Sequence, residues 1–238
     1  MRDFAEIWSY LAETPLIWLS ATLIAYLAGD YLAQRAARAP LVNPVLVAVI
    51  LLAALLWATE TSYATYFEGA QFVHFLLGPA TVALAVPLWL NWPTVRRAAL
   101  PIVAALLAGS GMAVLSALAI GHAMGLSPEL LATLAPKGTT APVALGISQN
   151  LGGSPTLTAV LVILTGMIGA IVITPMMNMM GIRDWRARGF AVGVAAHGIG
   201  TARAFQVNPQ AGAFAGIGMG LNALLTALLA PWALGLFQ

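Results

Sequence analysis

The stretch Leu134-Ala-Pro-Lys-Gly-Thr-Thr-Ala-Pro-Val-Ala-Leu-Gly-Ile-Ser148 contains Lys137, the single lysine of the chain. From Gly138 to Ile182 no Asp, Glu, Lys or Arg follows it. If this tract lies in a bilayer, the ammonium is expensive there, at least ~2.5 kcal/mol on the mildest scale, and an isolated intramembrane charge points to a functional site. The surrounding Pro136, Gly138, Pro142 and Gly146 interrupt a helix, because proline lacks the amide donor and glycine gains least from helical order. Broken helices at membrane depth are where transporters build their substrate sites.

Composition places the chain in a membrane. Of its 238 residues 61% are apolar and 8% charged, with mean hydropathy +0.90, against about 25% charged in ordinary soluble domains. Uncharged runs from Pro40 to Thr59, Ala98 to Pro128, Gly138 to Ile182 and Ala204 to Gln238 reach the ~20 residues that span the hydrocarbon core. The runs are continuous and do not alternate, which excludes a β-barrel and predicts an all-α polytopic membrane protein forming one domain over residues 1–238. With no cysteine, disulfides and thiolate chemistry are absent. Ten basic and eight acidic residues are too sparse for a nucleic-acid surface. The start, Met1 to Trp8, mixes charges and lacks the basic opening of a signal peptide.

The positive charges orient the spans. Arg35 and Arg38 fall in one loop, Arg96 and Arg97 in a second, and Arg183, Arg186 and Arg188 in a third, while Glu60, Glu68 and Glu129 mark the loops between. Loops rich in Arg and Lys stay cytoplasmic. Spans near 15–33, 41–58, 66–92 and 99–121 then alternate correctly, but the span near 156–178 delivers Arg183 to the cytoplasm only if residues 122–155 return to the side they left. A re-entrant pair of half-helices around Lys137 satisfies that condition, whereas a full crossing there would put Arg183, Arg186 and Arg188 outside; about six to eight membrane segments are expected. Gly78-Pro-Ala-Thr-Val-Ala-Leu-Ala-Val-Pro87 aligns with Lys137–Gly146, matching Thr81 with Thr140 and Ala85 with Ala144. Each is an interrupted segment, with helix breaks at Gly78 and Pro79 in the first, followed by a long apolar span. Paired broken segments signal an inverted repeat.

A second polar concentration is Gly189-Phe-Ala-Val-Gly-Val-Ala-Ala-His-Gly-Ile-Gly-Thr-Ala-Arg203. On an unbroken helix His197 and Thr201 share a face and Arg203 does not; a break at Gly198 and Gly200 lets all three converge. Guanidinium, imidazole, hydroxyl and exposed amides together suit a carboxylate. Gly212, Gly216 and Gly220 recur every four residues as a close-packing seam, and Trp18, Trp57, Trp89, Trp92 and Trp185 suit an interfacial aromatic belt. Ser148 and His197 could form a hydrolytic dyad, but Gly-Ile-Ser148-Gln-Asn lacks a nucleophile elbow, so no enzyme is expected. His74 and His122 stand too far from other ligand-type residues for a metal site, and neither metal nor cofactor is expected.

The tracts Ala135–Ser148, Gly152-Gly-Ser-Pro-Thr-Leu-Thr-Ala159, Leu164-Thr-Gly-Met-Ile-Gly169 and Ala195-Ala-His-Gly-Ile-Gly-Thr-Ala-Arg-Ala204, with Phe75–Pro87 and Gly212–Gly220, closely resemble the LrgB/CidB family over nearly the whole chain. Gly138 stands where that family usually has Ser, leaving Thr139 and Thr140 as the hydroxyls beside Lys137. The resemblance implies two functions. One is holin/antiholin-like control of murein hydrolase export and autolysis, with a small LrgA/CidA-type membrane partner. The other is transport of small 2-oxo or 2-hydroxy monocarboxylates such as pyruvate, glycolate or glycerate, as in the related plastidial glycolate/glycerate translocator.

The residues and the second branch agree. The expected protein is a transporter of such anions in a bacterial cytoplasmic membrane, coupled to protons or another cation and able to self-associate. Lys137 and Arg203 are the expected carboxylate partners, Thr139, Thr140, Ser148 and Thr201 the hydroxyl ligands, and His197 the proton carrier, since its side chain titrates near neutrality.

Overall fold

The computed structural model describes residues 15–39, 42–83 and 85–237; the N-terminal stretch read from Met1 to Trp8 lies outside them. Every regular element among the described residues is helical. Contacts divide the chain into two compact units, Met1–Ala80 and Thr81–Gln238, a boundary that composition does not mark.

In the first unit, α1 (Pro15–Arg35) packs on α2 (Pro44–Ala58) and α3 (Tyr63–Phe75). Asn43 caps α2, accepting from the amides of Val45 at 2.9 Å and Leu46 at 3.3 Å, which satisfies donors that a helix start leaves unpaired. A Cβ on Gly69 would stand 2.0 Å from the Pro15 carbonyl oxygen, so only glycine lets α3 approach α1 this closely. Trp18 is wholly buried, its ring edge-on to Tyr66 at 6.0 Å; it is a packing residue and not a member of the expected aromatic belt.

The single span expected over 66–92 is instead several short helices: α3 ends at Phe75, then α4 (Leu77–Ala83), α5 (Ala85–Leu90) and α6 (Trp92–Arg97) follow. Pro79 has no amide for the Phe75 carbonyl and its ring clashes with it, so the helix breaks at Leu76 and Pro79 falls in the first turn of α4.

Among the described residues four helices are long and apolar enough to cross a membrane, and the second unit contains three of them, α1 being the other. These are α7 (Ala99–Ala123), α10 (Pro155–Met179) and α12 (Pro209–Leu234), each about 37–39 Å long at 1.5 Å per residue. Between α7 and α10 lie two short helices, α8 (Pro128–Leu134) and α9 (Ala141–Asn150); between α10 and α12 lies α11 (Trp185–Val207).

Contacts fix the directions. Ile102 shares a cluster with Phe214, Ser110 bonds Asn222, and Val114 and Leu118 share a cluster with Ala230 and Ala233, so α7 and α12 run side by side in parallel. Helix α10 runs oppositely: His197 lies against Gly166, Ala196 against Gly169, and Val192 in one cluster with Ile173. Arg96 and Arg97 before α7, Arg183 between α10 and α11, and Arg186 and Arg188 in the first turn of α11 therefore lie at one end of the long helices.

Helix α11 reverses direction at its middle. His197 has φ 37° and ψ −133°, which no α-helix accommodates. A Cβ on Gly200 would be 2.5 Å from the Ala196 Cβ and 2.9 Å from Val192 Cγ1, and Val207 lines the same small cavity as Trp185. In a straight helix residues 185 and 207 would stand about 33 Å apart. The break expected at Gly198 and Gly200 thus falls on His197 itself, and those glycines start the returning limb.

Glycine also sets the α11–α12 contact. Added Cβ atoms on Gly189 and Gly193 would lie 2.1 and 2.0 Å from the carbonyl oxygens of Ala211 and Ala215. On α12 the seam includes Gly212, against the Phe205 ring, and Gly218, whose Cβ would be 2.6 Å from the Phe190 carbonyl oxygen. Gly216 is buried, but Gly220 is exposed and has open space where a Cβ would go. The four-residue spacing therefore carries the seam one step too far, because by Gly220 the α12 surface has turned away from α11.

Candidate functional site

Residues 135–140 form the turn between α8 and α9, and both flanking helices are too short to cross a bilayer, about 10 and 15 Å. Pro136 and Gly138 lie in this turn, and Pro142 sits in the first turn of α9, where its missing amide costs nothing. The segment leaves and returns at the same end of the long helices. Near its base the Thr158 hydroxyl lies 2.7 Å from the Ser148 hydroxyl and 3.0 Å from the Thr133 carbonyl oxygen, and the Ser154 amide donates to the Thr133 hydroxyl at 2.8 Å. A Cβ on Gly153 would stand 2.6 Å from Ser148 Oγ and 2.7 Å from the Thr133 nitrogen.

At the turn, Lys137 is half-buried, and no carboxylate among the described residues pairs with it. Thr139 is fully buried and its hydroxyl has no hydrogen-bond partner among the described residues. A buried hydroxyl without a partner costs about 1–3 kcal/mol. Thr140 is the N-cap residue of α9, and its side chain does not cap the helix. The lysine, the orphan hydroxyl and the start of α9 therefore fall within four consecutive residues, and each favours negative charge.

The turn is held at the middle of the unit by Asn222. Its Nδ2 donates to the Gly138 carbonyl oxygen at 3.0 Å and to that of Val194 at 3.2 Å, three residues before the break in α11. Its Oδ1 accepts from the Ser110 hydroxyl and, at 3.3 Å, from the Thr226 hydroxyl. Ser110, Asn222 and Thr226 are all buried. The two interrupted segments thus enter from opposite ends of the long helices and come together on one amide.

The remaining expected ligands are dispersed. His197 is buried and its Nε2 lies 3.0 Å from the Val162 carbonyl oxygen on α10, so the ring donates there. Thr201 is buried and faces Met219 Sδ on α12 at 3.9 Å. Ser148 belongs to the Thr133–Thr158 knot, about 10 Å along α9 from its N-terminus, and its hydroxyl is engaged there by Thr158. Arg203 lies elsewhere. It sits six residues down the returning limb of α11, bonds Gln206 at 3.5 Å, and lines a cavity of about 20 Å³ with Arg188, Trp185 and Thr174. Lys137 does not line that cavity.

Sequence reading overlooked Asn222, Ser110 and Thr226. A carboxamide near the centre of a 26-residue apolar helix was the available signal, since a polar group there must find partners. At the end of the long helices, outside the apolar core, the Arg186 side chain bonds Asp184 at 2.7 Å and holds its carboxyl below the usual range. Arg188 donates to Asn178 Oδ1 at 2.7 Å and lies over the Trp185 ring at 4.9 Å.

Long apolar helices, interrupted segments between them and a buried polar centre define an all-helical, multi-pass membrane protein. The sequence profile of the LrgB-like family matches residues 22–236, and the chain belongs to that family. It is similar to YxaC of Bacillus subtilis, 35% identical over 94% of this chain and 96% of the relative. It is also similar to the holin-like protein CidB of Staphylococcus epidermidis, 32% identical over 83% of this chain and 86% of the relative, and to that of Staphylococcus aureus, 31% identical over 93% and 96%. No solved structure matches.

Proposed function

We propose that this protein transports a small organic monocarboxylate of the pyruvate, glycolate or glycerate type across a bacterial cytoplasmic membrane, and that the anion binds at the turn between α8 and α9. The observation that carries this reading is the half-buried Lys137 without a carboxylate partner among the described residues, two positions before the orphan Thr139 hydroxyl at the start of α9. A carboxylate would receive a charge-assisted bond from Lys137 and hydrogen bonds from Thr139 and the α9 amides, with Thr140 beside them. A wide hydrophilic pore needs no such enclosed centre.

In this reading segments 128–150 and 185–207 are re-entrant pairs dipping in from opposite membrane faces, within about six to eight membrane segments. Supporting it, α7 and α10 are 25 residues each, antiparallel, and each is followed by a broken segment of equal length. That is the arrangement of an inverted repeat with a midplane site. The match of Gly78–Pro87 with Lys137–Gly146 likewise pairs α7 with α10. A proton or another cation is the proposed coupling ion, and a small LrgA/CidA-type membrane protein the proposed partner.

The relatives named holin-like favour a second reading, a membrane protein that perturbs the bilayer to control murein hydrolase export. Proteoliposomes separate the two. Saturable uptake of labelled pyruvate or glycolate, lost at least tenfold in Lys137→Met with the protein still monodisperse, is the expected result. Release of trapped folded protein without saturation, or uptake unchanged in Lys137→Met, would overturn the proposal.

A further inference from the structure

We infer that Asn222 is the positioning residue of this site: its amide holds the turn bearing Lys137 in register with the break in α11. The functional meaning rests on the transport reading; the mechanical claim does not. A helix break strips main-chain carbonyls of their in-helix donors, and a buried carbonyl without a donor is costly. Gly138 lies in the turn after α8, and Val194 lies where the first limb of α11 ends, so both carbonyls need a donor from elsewhere. One carboxamide has two N–H groups, and Asn222 directs them to these two oxygens at 3.0 and 3.2 Å.

The other side of the amide is anchored. Oδ1 accepts from Ser110 on α7 and from Thr226, one turn further along α12. With Oδ1 occupied by two hydroxyls, the N–H pair can point only toward the breaks. The side chain thus ties α7, α12 and both interrupted segments together, with 2% of its surface exposed. Moving the Lys137 turn relative to α11 requires breaking at least one Nδ2 bond. Asn222 therefore sets how far the anion site can shift between its states.

The absence of cysteine gives a direct test. A Cβ on Gly138 would stand 3.7 Å from the Ala113 Cβ, within the 3.5–4.5 Å that a disulfide requires. The double variant Ala113→Cys/Gly138→Cys, oxidised in native membranes with copper phenanthroline, reports whether the turn is seated against α7. Adding Asn222→Asp keeps the shape and the Oδ1 bonds but leaves at most one donor, the O–H of a protonated carboxyl, for two carbonyls, and cross-linking is expected to slow by on the order of tenfold. Asn222→Ala, scored in the monodisperse fraction, is expected to slow it likewise. Thr226→Val loosens the same cluster yet leaves both bridges, and is expected to cross-link at the parental rate.

A parental rate in Asn222→Asp, or equal slowing in Thr226→Val, overturns the inference. The reaction needs no solute, so failure of the transport reading is distinguishable: slowed cross-linking without uptake by any variant removes transport and leaves the bridge. Parental cross-linking with saturable uptake removes the bridge alone.

Discussion

Replacing Gly193 by alanine is the most informative perturbation of the scaffold. The new methyl would sit 2.0 Å from the Ala215 carbonyl oxygen, 2.7 Å from its carbon and 2.8 Å from the Met219 nitrogen. All three are backbone atoms of α12, so no side chain can swing aside. Ordinary contact begins near 3.4 Å, and restoring it means separating α11 from α12 by about 1.4 Å. Overpacking of this kind costs ~1–3 kcal/mol, and alanine's better helix propensity returns at most ~1 kcal/mol. The separation also reaches the site. Val194 is the next residue, and its bond from Asn222 is already 3.2 Å, so a shift of that size along the bond would break it. Gly220→Ala is the matched control, since open space surrounds it, and propensity alone should leave it neutral or slightly more stable. Apparent melting of the detergent-purified variants, followed by fluorescence-detected size exclusion, should show Gly193→Ala several degrees lower and Gly220→Ala unchanged or higher. Equal stability of the two would refute the helix contact described for α11 and α12.

At the reversal of α11, His197→Gly and His197→Ala should differ in a set direction. Both lose the bond to Val162, worth about 1 kcal/mol, but glycine accepts φ 37° without the strain that alanine retains, of order 1–3 kcal/mol. Thermal melts should rank glycine above alanine; the reverse order would mean that the kink is not there. Ser148→Ala should destabilise the protein by about 1–3 kcal/mol through the Thr158–Thr133 knot while leaving the apparent KM for the anion within about twofold, as a structural hydroxyl requires. A large rise in KM at unchanged stability would return Ser148 to the binding site.

Local chemistry made much of this legible. The interruptions at Pro79, Pro136 and Gly138 follow from missing donors and ring clashes within a few residues, and the turn carrying Lys137, Thr139 and Thr140 was readable for that reason. The α11 break was expected from its glycines but fell on His197, because a histidine at positive φ has no sequence signature. Its consequence was larger than its size. One dihedral pair sends the second limb of α11 back toward Arg188, carrying Arg203 away from Lys137. Asn222 was passed over since its importance depends on which carbonyls face it, 84 and 28 residues away.

The sequence by itself determined the solvent and the vocabulary of this protein. Too few charges and too many long apolar runs leave a bilayer as the only medium, and in a bilayer backbone donors and acceptors must be satisfied within the protein. Only the tertiary structure decided which separate breaks share a centre. That choice depends on the direction taken after each interruption and on glycines that let helices approach to backbone contact, and both are properties of three-dimensional packing between residues far apart in the chain.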